Sequence, residues 1–300
     1  MIGRVRLAES ADALPPQVLL LGAVASVQFG SAFANTVFDR AGPGGAAFLR
    51  VLFTALVLLP LARPSLRGRS KHEIATVLAY GLVLAGMNWS FYEALHRLPL
   101  GVAVTIEFLG PLGVAVAGSR RLLDAVWVVL AASGVVLIST RGSHAGVHLS
   151  GVLLALIPAA CWAGYILLAK RVGTSFGALE ALAIGMAVGT LLVLPAGLVQ
   201  GGSQLLQPAV LGTCLGVATM SSLIPYTLEF VALRRLSTAV FGLLMSLEPA
   251  VAALAGVIVL GQHLTPVLIG ALLLVVIASI GTSLSGRSVA ESRPEPPVPG

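Results

Sequence analysis

The sequence predicts an all-α integral membrane protein of ten transmembrane helices, arranged as two five-helix repeats inverted relative to each other. Three observations predict it. Of 300 residues, 57% are apolar and only 10% charged, with a mean hydropathy of +0.98; a water-soluble domain carries about 25% charged residues. Ten runs approach the roughly 20 apolar residues that a helix needs to cross a bilayer. The runs form two sets of five with matching features, and five is odd, so the second set starts from the opposite side of the membrane.

The first run, residues 18–38, carries Gln28, Ser31 and Asn35 on one helical stripe. Its small residues Gly22, Ser26, Gly30 and Ala34 recur every fourth position and permit a close helix neighbour. Arg4 and Arg6 precede it, as basic residues precede secretory leaders, but the run is read here as the first membrane helix. The second run, 44–62, contains Arg50, which must either snorkel to the outer surface or pair with a carboxylate. In the third, 73–95, Asn88 and Tyr92 lie one turn apart and Glu93 sits near the end.

The fourth run, 99–118, places Glu107 near its middle, four residues before Pro111. The fifth is 123–139. The sixth, 149–169, shows Trp162 and Tyr165 on one face. The seventh, 178–199, and the eighth, 209–233, carry the GxxxG pairs Gly185/Gly189 and Gly212/Gly216, read as helix-packing sites. Ser222, Tyr226 and Glu229 form a stripe in the eighth. The ninth, 237–260, has Glu248 directly before Pro249, and the tenth is 264–284. The Pro-rich tail 286–300 is expected to be disordered.

An offset of 138 residues relates the halves, 17–141 and 149–285. It superposes Ala94-Leu95-His96-Arg97-Leu98 on Ala232-Leu233-Arg234-Arg235-Leu236, Pro111 on Pro249 and Gly118 on Gly256. Charge supports the inversion. Of 18 Lys and Arg residues, Arg40, Arg97 and Arg141 fall on one side and Arg50 within a span. The remaining fourteen share the other side with both termini, including the N-terminal tail 1–16. Short loops so biased are cytoplasmic.

Ionisable groups at membrane depth are costly and mark function. Glu107 and Glu248 occupy corresponding spans, and each lies beside a proline. A proline frees the carbonyl four residues earlier, here those of Glu107 and Met245. Matched interruptions in two inverted halves point to a transport site between them. The carboxylates are candidates for holding a substrate ammonium group or exchanging protons. Gln28, Asn88, Tyr92, Trp162, Tyr165, Tyr226 and Glu229 suit the wall of a wet, partly aromatic cavity.

The same residues exclude other classes. The net charge of +6 is spread over short interhelical clusters, which argues against nucleic acid. Cys161 and Cys214 lie in apolar runs, and His72, His96, His144, His148 and His263 lie in or beside loops, so no metal site or cofactor is expected. Neither a phosphate-binding GxxxxGK[ST] loop nor a DDxxD cluster is present, against an ATP-driven pump or an intramembrane enzyme.

The run GMNWSFYEALHRLPLGVAVTIEFLGPLGVAVAGSRRLLDAVWVVLAASG (86–134) resembles the drug/metabolite transporter superfamily, EamA branch, and within it the bacterial amino-acid exporters of the threonine/homoserine type. The segments ACWAGYILLAKRVG (160–173) and IPYTLEFVALRRLSTAVFGLLMSLEPAVAALAGVIVLGQHLTP (224–266) resemble it too. The resemblance spans about residues 17–285. It implies ten helices in two inverted repeats around a cavity, in the inner membrane of a bacterium. It also implies export of small amino acids from the cytoplasm by alternating access, with proton antiport through Glu107 or Glu248 as one route. By the same resemblance Asn88, Tyr92, Glu107, Trp162, Tyr165, Tyr226, Glu229 and Glu248 are cavity candidates. Glu-Phe-Leu-Gly-Pro in the first half stands against Glu-Pro in the second, so the two carboxylates need not be equivalent. The rival readings are another small cargo, such as a purine or drug, and a non-transporting scaffold or sensor. The protein is expected to act in the bilayer as a monomer or weak homodimer.

Overall fold

The computed structural model describes residues 14–117, 122–141 and 147–291. Expectations on 1–13, 118–121, 142–146 (with His144) and 292–300 lie outside these. Among the described residues there are thirteen α-helices and no strand. They are α1 (Pro16–Asn35), α2 (Phe38–Ala62), α3 (Lys71–Leu95), α4 (Leu100–Glu107), α5 (Leu109–Ala117), α6 (Leu122–Arg141), α7 (Leu149–Val172), α8 (Ala178–Gly201), α9 (Pro208–Ala218), α10 (Ile224–Leu233), α11 (Thr238–Met245), α12 (Glu248–Leu260) and α13 (Pro266–Glu291). Among the described residues nine segments are long and apolar enough to cross a membrane, and α6 adds the shorter apolar stretch Val126–Ile138. The outer surface is lined by apolar side chains such as Val129, Leu191, Val199 and Ile258, as contact with lipid rather than water requires.

Local chemistry accounts for the boundaries. Ser70 and Glu73 close a reciprocal capping box at the start of α3: Ser70 N–H donates to Glu73 at 2.8 Å, and Glu73 N–H to Ser70 Oγ at 3.2 Å. The internal breaks follow the prolines. Helix α4 ends at Glu107, four residues before Pro111, and α11 ends at Met245, four before Pro249; these are the two carbonyls that lose a helical donor. A third interruption, a π-helical turn over Thr219–Leu223, separates α9 from α10 and precedes Pro225.

Helix pairing has a reciprocal pattern. Helix α2 packs on α8, α6 on α13 and α4 on α12, while α3 packs on α7 and α1 on α10. Glycines set the closest approaches. A Cβ at Gly101 of α4 would stand 2.8 Å from Ala253 Cβ of α12, and one at Gly81 of α3 would stand 2.7 Å from Val188 Cβ of α8. Gly185 and Gly189 face Tyr80, Leu84, Val51 and Ala85 as close-packing positions.

Some expectations are corrected. Among the described residues a Cβ at Gly212 or Gly216 would meet nothing within 4 Å, so this GxxxG pair packs against none of the described helices. The second segment is helical from Phe38, but Gly42 (φ 67°, ψ 161°) is a non-helical kink within it, so the unbroken helix follows that kink, close to the start expected at residue 44; α1 ends at Asn35. Helix α13 continues to Glu291, so the first part of the tail expected to be disordered is helical.

Candidate functional site

The bundle encloses a cavity of about 1350 Å³ that reaches from mid-membrane to one end of the helices. The C-terminal ends of α2 and α7 and the start of α8 form its mouth, through Leu61, Ala62, Val172 and Gly177. The neighbouring helix ends carry Arg63, Lys71, Lys170, Arg171, Arg234 and Arg235. The opposite end is shut by an apolar cluster that includes Phe38, Phe48, Leu95, Leu98 and Leu100. Beyond it, Gln200 of α8 bridges α2 and α3. Its Oε1 accepts from Gly44 N–H at 2.6 Å, and its Nε2 donates to Glu93 at 2.7 Å. Glu93 also accepts from Arg97 at 2.8 Å.

Of the residues expected in the wall, Gln28, Asn88, Glu107, Trp162, Tyr165, Tyr226, Glu229 and Glu248 line this cavity. Tyr92 does not; it is wholly buried behind Arg50. Asn35, from the first stripe, turns away and donates to the Leu95 carbonyl at 3.2 Å.

One side of the cavity is acidic. Glu107 is the last residue of α4 and Glu248 the first of α12, so the contact between these broken helices brings both carboxylates inward, 9% and 6% exposed. Among the described residues neither has a hydrogen-bond donor or a basic group within ion-pair distance. Aromatic rings line the same cavity. Phe108 and Trp162 meet edge to face at 5.6 Å, and Tyr80 and Tyr165 stack at 5.3 Å. Carboxylates and ring faces in a low-dielectric site both attract an organic cation.

For Arg50 the sequence allows snorkelling or an ion pair, and among the described residues the structure gives it neither. It is 8% exposed and lines the cavity, and no carboxylate of a described residue lies within 4 Å of it. Its Nε donates to Ser222 Oγ at 3.3 Å, Nη1 to Tyr92 Oη at 3.4 Å, and Nη2 to the Ser221 carbonyl at 3.0 Å. The guanidinium also lies 5.5 Å from the Tyr92 ring centroid. The signal that would have found this site is Pro225, which removes the helical donor for Ser221 by the same four-residue rule that exposes Glu107 and Met245. In the same cavity wall, Gln28 Oε1, Ser31 Oγ and Ser221 Oγ are buried without partners among the described residues. Among the described residues no group of three or more His, Cys, Asp or Glu is placed to hold a metal.

Comparison with known proteins agrees with this architecture. The sequence model of the EamA-like transporter family matches residues 149–284. The threonine/homoserine exporter RhtA of Escherichia coli K12 is 42% identical over 273 residues, covering 91% of this chain and 92% of that protein. RhtA of Salmonella typhimurium LT2 is 42% identical over 275 residues, with the same coverage. A protein of known crystal structure shares the fold with a TM-score of 0.58 at 20% identity, over 90% of this chain and 97% of that one. With a polar-lined cavity between broken helices and relatives aligned along nearly its whole length, this multi-pass membrane protein belongs to the EamA-like transporter family.

Proposed function

We propose that the chain is a secondary transporter that exports small amino acids of the threonine/homoserine type. The observation that carries this reading is the pair Glu107 and Glu248, carboxylates without partners facing one cavity at membrane depth. A zwitterion crossing the bilayer must lose water around its ammonium group, and these carboxylates replace that water. The cargo class is supported by the RhtA relatives.

Ten crossings in two inverted five-helix repeats underlie the mechanism. The 138-residue offset supports this, and so does helix packing. Under exchange of the two halves, the contacts α2–α8 and α6–α13 map onto themselves, and α1–α10 maps onto α3–α7. With the basic helix ends cytoplasmic, both termini lie in the cytoplasm of a bacterial inner-membrane protein, and the cavity is open to the cytoplasm. Substrate enters there, and rocking of the repeats breaks the Gln200 bridge and opens the far end. Proton antiport fits the same groups, since a carboxylate holds a proton or an ammonium but not both.

Counterflow in proteoliposomes against a panel of amino acids, nucleobases and drugs tests the proposal. Accelerated uptake of labelled threonine and homoserine, with nucleobases and drugs inert, is expected; a nucleobase or drug as the sole exchanged class would overturn it.

A further inference from the structure

We propose that Arg50, with the unpartnered polar atoms of Gln28, Ser31 and Ser221, forms the subsite that binds the substrate's α-carboxylate. The proposal rests on the amino-acid reading above and adds the second pole of the zwitterion. A guanidinium has five N–H donors. Three are engaged by Ser222, Tyr92 and the Ser221 carbonyl, which leaves one N–H on each terminal nitrogen. Two free donors on the terminal nitrogens are what a carboxylate needs to bind with both oxygens.

The surroundings are arranged for an anion that is not part of the protein. Arg50 faces the cavity with no acidic partner within 4 Å among the described residues. Burying a lone guanidinium is costly, and a bound carboxylate compensates the charge. Ser31 and Ser221 bring hydroxyls that reorient to donate, and Gln28 an amide that offers either N–H or C=O. All three are buried, with these oxygens unmatched by any group among the described residues. They come from adjoining surfaces, because α1 packs against the π-helical turn at Gly30, where a Cβ would meet Met220 at 3.0 Å. Tyr92 is the positioning residue. Its hydroxyl and ring hold the guanidinium from behind, and Phe38 supports that ring at 5.5 Å. Acid on one wall and base on another select a small zwitterion over a cation or an anion alone.

The test uses the full-length protein and three probes: L-threonine, L-threoninamide, which lacks the carboxylate, and 2,3-dihydroxybutyrate, which lacks the ammonium. Arg50→Gln is expected to weaken binding of threonine and dihydroxybutyrate about 10- to 100-fold, the range of a charge-assisted bond, and to leave threoninamide within about twofold. Equal weakening of all three, or of none, overturns the subsite, as does wild-type protein that binds neither carboxylate probe. Should Arg50→Gln fail to fold, Arg50→Lys decides: it keeps the charge without the fork, so threonine must weaken while threoninamide does not. Failure of the broader reading looks different. Wild-type protein that exchanges neither threonine nor homoserine sinks amino-acid export, yet Arg50-dependent binding of dihydroxybutyrate would still uphold the subsite.

Discussion

The carbonyl oxygen of Ser221 accepts a hydrogen bond from Arg50 Nη2 at 3.0 Å across 171 residues of sequence. Residue 225 explains why that carbonyl is available. A helix would satisfy it with the N–H of residue 225, and Pro225 has none. The backbone there widens into a π turn, with Ile224 N–H reaching back to the Thr219 carbonyl. One ring closure in α10 thus anchors a buried charge on α2.

Pro225→Ala tests this relationship. An alanine N–H competes with Arg50 for Ser221, so the guanidinium loses one tether while Arg50, Glu107 and Glu248 are unchanged. The KM for threonine counterflow should rise about 3- to 10-fold, the worth of one net hydrogen bond. An unchanged KM would show that the anchor is dispensable.

The glycine pairs give a contrast in stability. Gly81→Val places methyl groups where a Cβ alone already meets Val188 at 2.7 Å, and overpacking costs about 1–3 kcal/mol. Gly216→Ala meets open space and removes backbone entropy from the unfolded chain, a gain of about 0.5–1 kcal/mol. Thermal unfolding in detergent should therefore move in opposite directions for the two variants.

Those pairs also mark how far sequence could be read. The breaks at Glu107 and Met245 were legible because proline chemistry is local: residue n removes the donor for residue n−4 and nothing distant decides it. The wall residues were legible because polar side chains in an apolar run need a wet face. Gly185/Gly189 and Gly212/Gly216 share one motif but face a helix and empty space respectively, since GxxxG encodes a smooth surface and not what covers it. Arg50 was ambiguous for the same reason. Its partners Ser221 and Ser222 sit on another helix, and Tyr92 was assigned to the wall because its place behind the guanidinium depends on how α2 and α3 meet.

Glu107→Gln separates exchange from coupling. The amide keeps the shape of the side chain and cannot carry a proton. If one proton is exchanged per substrate, wild-type protein accumulates substrate about tenfold per unit of pH gradient. The variant should keep counterflow and lose that response. A Glu107→Gln protein with an unchanged response to the gradient would remove this residue from the coupling role.

Gln200 closes the end of the bundle that must open for release. It takes the Gly44 N–H at 2.6 Å and gives a hydrogen to Glu93 at 2.7 Å, so one side chain ties α8 to α2 and α3. Gln200→Ala removes both bonds at once. Each is worth about 0.5–1.5 kcal/mol, so together they shift the opening equilibrium by roughly tenfold or more. The readout is a cysteine at Ala34, which is fully buried at the closed end, introduced after Cys161 and Cys214 are replaced by alanine. Its reaction with a membrane-impermeant thiol reagent added from that side reports the open fraction, and the rate should rise about tenfold in Gln200→Ala. Arg97→Ala is the control. Arg97 touches Glu93 from the turn directly after α3, so its loss leaves the Gln200 bridge between helices intact and the labelling rate unchanged. Equal rates in Gln200→Ala and wild-type protein would mean that the apolar plug around Phe38 and Leu95 holds this end shut without the polar bridge.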